Sequence, residues 1–316
     1  MIGAFFRGNV NPLKRCFFIP SVSLSEVVMF IKGGVKMEGS RAQAFAINNE
    51  RLRKIQQGKA PDSVNDKVKI DYFGHSAIRI TSLQGISILI DPWRNDEAWG
   101  WWFPETFPEV EVDIALSTHA HFDHDALHLP QARITMERMI GVYELGDVKI
   151  TGLADKHLSE SLGKTRWTDI QKDIGEDFSP PNNHLHMDNV IYVIETGGLC
   201  IVHWGDNRAL PDTYVDNYLK DKAIDVLFLP VDESEHILTY EQADHLMERY
   251  QPSVTIPIHY LMHGVNTVLS TLQPCDEWLA RHEASQVIPS YRLALDCETF
   301  KSKGKQVAKF LEATRE

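Results

Sequence analysis

Ser117-Thr118-His119-Ala120-His121-Phe122-Asp123-His124-Asp125 places three imidazoles and two carboxylates at the end of one apolar run, Val112-Asp113-Ile114-Ala115-Leu116. A run this short and β-rich fits a buried strand, and loops that follow such strands usually carry function. On extended backbone His119 and His121 project to the same side, so both can reach one cation. A tight turn then lets Asp123 and His124 face a second cation beside the first. Neutral imidazole plus carboxylate is the donor set that zinc and its neighbours prefer, so two divalent ions are expected, zinc first, with manganese or iron as alternatives. The bland reading, a polar loop with incidental histidines, has to treat that donor set as coincidence.

The flanking chain repeats the pattern of apolar run and ligand-type residue. Val68, Ile70 and Tyr72 alternate with Lys67, Lys69 and Asp71, which indicates a half-buried strand, and Gly74-His75-Ser76-Ala77 follows as a turn. Ile78 to Thr81 and Ile86 to Ile90 read as strands joined by a hairpin turn at Gln84-Gly85, and the second ends in Asp91-Pro92-Trp93. Beyond the histidine loop, Arg133 to Thr135 and Val142 to Leu145 precede a strand from Val148 to Leu153 that leads to His157. Val190 to Ile194 turns at Gly197-Gly198 into Leu199 to His203, which runs into Gly205-Asp206. Val226 to Pro230 leads to Asp232, and Val254 to Ile258 leads to His259. Tyr240 to Tyr250 has helical spacing, and Gln286 to Leu295 reads as one closing strand.

Two segments stand apart from this body. Residues 1–66 read as an N-terminal extension and helical arm, and 67–316 as the functional domain. Within the first, the apolar stretches around Phe5, Phe17 and Val27 are broken by Arg7, Pro12, Lys14, Arg15, Pro20 and Glu26. That pattern fits neither a membrane helix nor a secretory signal, and the rival readings are an appended packing segment or an upstream extension before a start at Met37. From Trp93 to Glu109 the chain carries Trp93, Trp99, Trp101, Trp102, Phe103 and Phe107 among glycine and prolines. Such a loop can wall a site with aromatic faces that bind substrate, or it can cover the core or a contact in a homo-oligomer.

With 316 residues, 43% hydrophobic and 24% charged, the chain has the composition of a soluble globular protein. Its net charge of -12 and the lack of a basic block argue against a nucleic-acid partner and leave a small-molecule substrate. Cys16, Cys200, Cys275 and Cys297 form no paired spacing, so reduced thiols and a cytoplasmic location are expected, with no membrane span.

The pattern Thr118-His119-x-His121-x-Asp123-His124, a later histidine, Gly205-Asp206 and Pro257-Ile258-His259 resembles the ordered motifs of the metallo-β-lactamase superfamily. Gly74-His75-Ser76 and the run from Val193 to Asp206 look more like the branch of ascorbate-6-phosphate lactonase-like and N-acylphosphatidylethanolamine phospholipase D-like hydrolases than like the antibiotic-degrading enzymes. The resemblance, over roughly residues 68–296, implies an α/β fold of the αββα sandwich type with a dinuclear site at the sheet edge. It implies His119 and His121 at the first ion, Asp123, His124 and His259 at the second, and Asp206 between them. For the remaining ligand of the first ion, His157, His184 and His186 all stay open, because an antiparallel hairpin brings the relevant strand ends to one edge. His75 and His263 are candidates for lining the pocket or supporting ligands.

The expected reaction is metal-dependent hydrolysis of a small lactone, ester or amide by a hydroxide held between two cations, with Asp123 orienting it and accepting a proton. A metal-dependent phosphodiesterase is the alternative, since the same geometry stabilises in-line phosphoryl displacement. A non-hydrolytic metal-binding protein on the same fold is the third reading.

Overall fold

The computed structural model describes residues 65–95, 102–157, 188–233, 237–267, 270–283, 285–298 and 306–311. The expected N-terminal arm up to residue 64, residues 158–187 with His184 and His186, and Trp99 and Trp101 lie outside the described residues.

Two sheets face one another. In chain order the strands are β1 Val68–Tyr72, β2 Ile78–Thr81, β3 Ser87–Ile90, β4 Glu111–Ser117, β5 Gln131–Glu137, β6 Gly141–Leu145 and β7 Val148–Lys156. They continue as β8 Asp188–Thr196, β9 Leu199–His203, β10 Val226–Pro230, β11 Val254–Ile258, β12 Ser285–Ile288, β13 Arg292–Leu295 and β14 Gln306–Phe310. One sheet has the order β13-β1-β2-β3-β4-β5 and the other β12-β14-β11-β10-β9-β8-β7-β6. Helices α1 Thr213–Lys220, α2 Tyr240–Tyr250 and α3 Asp276–Ala280 complete the described elements.

Strand periodicity assigns the layers. In β8, Val190, Tyr192 and Ile194 join the core between the sheets, where they meet Ile80, Ile88, Ile114 and Leu116. The intervening Ile191 and Val193 point the other way, against Val215 and Leu219 of α1 and Leu246 and Tyr250 of α2. Central strands β9, β10 and β11 are buried at every position, which is why their sequences are continuous apolar runs. Helix α2 starts as its sequence directs: Thr239 accepts from the Gln242 backbone N–H, and the Gln242 side chain accepts from that of Thr239. The outer face of the six-stranded sheet is covered by Trp93, Trp102, Phe103 and Phe107 of the aromatic segment, packed on Leu89 and Ala115.

The C-terminal region departs from expectation. Gln286 to Leu295 is two strands in different sheets: β12 lies at the edge of the eight-stranded sheet and β13 at the edge of the six-stranded one. Pro289, just after β12, cannot donate to a ladder, and the chain changes sheet there.

The topology gathers the strand ends that matter. β3 and β4 run parallel, as do β9, β10 and β11, and β7 shares the direction of β9 because each is antiparallel to β8. The C-terminal ends of these strands carry Asp91, the histidine loop, His157, Asp206 and His259. Open α/β sheets bind ligands at such ends. Cross-sheet hydrogen bonds lock this edge: Val190 N–H donates to Thr118 O at 2.9 Å and the Tyr192 hydroxyl to Ser117 O at 3.0 Å.

Candidate metal centre

The loop after β4 is short and tightly turned, with the His124 and Asp125 amides both donating to His121 O at 2.9 and 2.8 Å. This turn separates the two halves of the motif. His119 and His121 stay on one side, with Nε2 and Nδ1 3.0 Å apart, and His157 arrives from β7 with its ring centroid 4.8 and 4.7 Å from theirs. Asp123 and His124 turn the other way, toward His259 and His75. Two sets of potential ligands result, His119, His121 and His157, and His75, Asp123, His124 and His259, and a third group, His119, His124 and Asp206, links them.

Asp206 stands between them. Its Oδ2 lies 3.6 Å from His119 Nε2 and 3.5 Å from His157 Nε2 on one side. On the other it lies 3.3 Å from His124 Nε2 and 3.0 Å from His259 Nε2. All five residues are at most 3% exposed.

The donor chemistry fits divalent cations. Among the described residues, the buried atoms His124 Nε2 and Asp206 Oδ1 have no hydrogen-bond partner, yet both belong to groups aimed into the cluster. A cation held between these groups would satisfy both atoms. The proton affinities tell the same story. Burial opposes a charged His259, but the Asp206 and Asp123 carboxylates outweigh it and push the imidazole up to about 10. Burial likewise opposes ionisation of Asp206, and His124, His259 and His119 overcome it, holding the carboxyl well below its usual range. Burial and then the neighbouring His124 force His119 well below the usual imidazole value. The pocket is arranged to hold positive charge between its carboxylates, a charge that protons or a metal ion can supply.

Further residues orient the ligands. Asp91 accepts from Thr118 N–H at 2.7 Å and the Thr118 hydroxyl at 2.8 Å, and its Oδ2 lies 2.8 Å from His124 Nδ1. Asn189 accepts from Asp206 N–H at 3.2 Å and donates to Trp204 O and Asn207 Oδ1. Asn207 in turn donates to Asp155 at 3.1 Å, tying the β7 end to the Asp206 loop. Asp232 lies 3.9 Å from His259 Nδ1. His203 is a buried brace: Nε2 donates to Ser76 O at 2.9 Å and Nδ1 accepts from Gly205 N–H at 3.2 Å.

The other sequence candidates fall in varied places. His75 is buried beside Asp123, and Trp102 is buried with its ring edge-on to His75 at 5.2 Å. Trp93 is 4% exposed, stacked on Phe103, with its indole N–H given to Phe73 O. That ring packs in the outer core. His263 is exposed on the loop after β11. The oriented carboxylate of Asp91 is legible only as a strand-end aspartate, and Asn189 and Asn207 carry no motif signal in the sequence.

A family model for the beta-lactamase superfamily domain matches residues 69–259, and the chain belongs to that superfamily. The fold is the αββα sandwich of metallo-β-lactamases. The chain is 25% identical over 197 residues to an Ignicoccus hospitalis protein described as a UPF0173 metal-dependent hydrolase, over 61% of this chain and 82% of that one. A Nanoarchaeum equitans protein of the same description is 29% identical over 204 residues, covering 61% of this chain and 84% of its own. A solved Thermotoga maritima structure of the metallo-β-lactamase superfamily shares the fold, with a TM-score of 0.54 at 22% identity over 77% of this chain and 98% of that one. No helix among the described residues is long and apolar enough to cross a membrane.

Proposed function

We propose that this metal-dependent hydrolase holds two divalent ions, zinc the first choice, and cleaves a small lactone, ester or amide. The observation that carries the reading is Asp206 Oδ2, 3.0 to 3.6 Å from four imidazole nitrogens drawn from both ligand sets. A carboxylate so placed can serve two ions at once. His119, His121 and His157 would hold the first, Asp123, His124 and His259 the second, with Asp206 shared. Bound there, such ions supply Lewis acidity that lowers the pKa of water and polarises a scissile carbonyl.

The chain's own groups do the rest. Asp123, held well below its usual carboxylate range by His124, His259 and His75 against the cost of burial, is ionised at neutral pH. It orients the attacking water and accepts its proton at a carboxylate oxygen. His121 and Phe122 are half-buried while the other described ligands are buried, so the site opens on their side, where a substrate enters. Trp102 packs edge-on against both Phe122 and His75, excluding water behind the reacting groups.

A neutral carbonyl substrate suits a chain of net charge -12. It also suits ligand loops whose neighbouring arginines are already engaged: Arg94 with Asp125 at 3.4 Å, Arg138 with Glu137 at 2.8 Å and Arg208 with Asp155 at 2.7 Å. The test is metal analysis, followed by a panel of lactones, esters, amides and bis(p-nitrophenyl) phosphate before and after chelation. Two ions per chain and metal-restored turnover of a carbonyl substrate are expected. Turnover confined to the phosphodiester replaces the substrate class, and turnover indifferent to chelation overturns the reading.

A further inference from the structure

His75 lies in the turn between β1 and β2, far in sequence from every other residue of the cluster. Its backbone has φ +55, a left-handed conformation that a non-glycine residue seldom adopts without a reason. The reason is visible in what this one residue touches. Its Nε2 lies 3.0 Å from Asp123 Oδ2, the same oxygen that lies 3.6 Å from His124 Nε2 and 3.7 Å from His259 Nε2. Its carbonyl accepts from His259 N–H at 3.2 Å and from the Tyr72 hydroxyl at 3.1 Å. Its own N–H meets Met262 Sδ at 2.8 Å. The ring is wedged edge-on against Trp102 and Phe103, at 5.2 and 5.5 Å, and is 1% exposed.

We infer that His75 is a positioning residue for the second ion alone: its side chain fixes Asp123 while its main chain fixes His259. The inference rests on the two-ion reading above. An ionised carboxylate can only accept, so at 3.0 Å the donor is the His75 Nε2–H. That bond aims Oδ2 between His124 and His259 and removes one rotation the carboxylate would otherwise lose on binding a cation. Both ligands that His75 holds belong to the second set, whereas His119 of the first set is held from Thr118, whose hydroxyl lies 3.0 Å from its Nδ1. Groups that hold a ligand in place are usually worth about 10–100-fold in metal affinity, and that is the size of effect expected here.

The experiment compares His75→Gln with His75→Phe by titrating the chelated protein with cobalt, following the visible spectrum and bound metal per chain. Glutamine places an amide N–H near the position of Nε2, whereas phenylalanine keeps ring bulk and no donor. Wild type should bind two ions, His75→Phe should bind the second about 10–100-fold more weakly with the first unchanged, and His75→Gln should recover most of the loss. Equal second-ion affinity in wild type, Gln and Phe variants overturns the inference, as does parallel weakening of both ions. If the Phe variant does not fold by circular dichroism, His75→Asn takes its place, since asparagine tolerates the left-handed backbone but is too short to reach Asp123. A wild type that binds a single ion defeats the two-ion reading instead, and is told apart by its stoichiometry.

Discussion

Asp91 Oδ2 and His124 Nδ1 meet at 2.8 Å, with both side chains fully buried, and the contact determines which nitrogen of His124 faces the cluster. A carboxylate on Nδ1 makes that nitrogen a donor and leaves Nε2 as the nitrogen that faces Asp206, 3.3 Å away, and can exchange its proton for a cation. Asp91 itself has φ +53, which aspartate tolerates better than most residues. Asp91→Ala should therefore weaken metal binding by about 10–100-fold, measured by calorimetric titration with zinc. It should also lower stability, because the buried Thr118 N–H loses its acceptor. Unchanged zinc affinity would detach Asp91 from the site.

His121 and His203 should respond differently to truncation. His121→Ala removes a half-buried cluster member whose ring packs against His119 and His157, so metal-dependent turnover should vanish while the protein stays folded. His203→Ala removes a brace between the sheets and strands the buried Ser76 carbonyl and Gly205 N–H, at a cost of about 1–3 kcal/mol each when left unpaired. Thermal melts and metal content on the two variants separate the roles. Normal turnover and metal content in His121→Ala would sink its assignment as a ligand.

Most of the architecture was legible because buried strands write themselves plainly. Val226 to Pro230 and Val254 to Ile258 are apolar at nearly every position since both faces are covered, and each ends where a ligand-type residue begins. The motif from Thr118 to His124 announced a split ligand set because the period of extended backbone and the turn after it are local. Long-range choices were not legible. Nothing local says that Pro289 divides one apparent strand between two sheets, or that Asn189 will cap the Asp206 amide, because both depend on partners brought in by the tertiary fold. His157 could not be separated from His184 and His186 by spacing. In the described residues it is His157 that joins His119, His121 and Asp206, delivered by the register of β7 on β8.

Asp216 offers a stability test remote from the cluster. It joins α1 to α2, accepting from Arg249 Nε and a terminal guanidinium nitrogen at 2.6 and 2.7 Å and from the Tyr250 hydroxyl at 3.0 Å. Arg249 first, then Lys220 and Tyr250, hold the carboxyl far below its usual value. A depressed folded pKa contributes stability that is present above the unfolded value, about 3.9, and is lost as pH falls through the folded value. Asp216→Asn should therefore melt below wild type near neutral pH, and the gap should narrow as the pH falls below about 4. Because Arg249 is partly exposed, the gap should also shrink with added salt. A gap that persists undiminished into acid would mean that packing, and not charge, makes the contact.

Gly205 constrains the placement of Asp206 through the backbone they share. With φ +58 it occupies the left-handed region, and a Cβ there would lie 2.6 Å from Asn189 Oδ1 and 2.8 Å from Thr118 Cβ. Both neighbours matter to the cluster: Asn189 accepts from the Asp206 amide, and the Thr118 hydroxyl connects Asp91 with His119 Nδ1. Neither can retreat cheaply, because Asn189 is also bonded to Trp204 and Asn207, and Thr118 is pinned to Asp91. Overpacking of this kind costs about 1–3 kcal/mol, and the left-handed backbone adds about 1–2 kcal/mol for alanine. Gly205→Ala should then lose stability in chemical denaturation and, because Asp206 moves with its amide, weaken both ions together. This differs from the selective loss expected at His75. Selective loss of one ion in Gly205→Ala would argue against Asp206 as the group the two positions share.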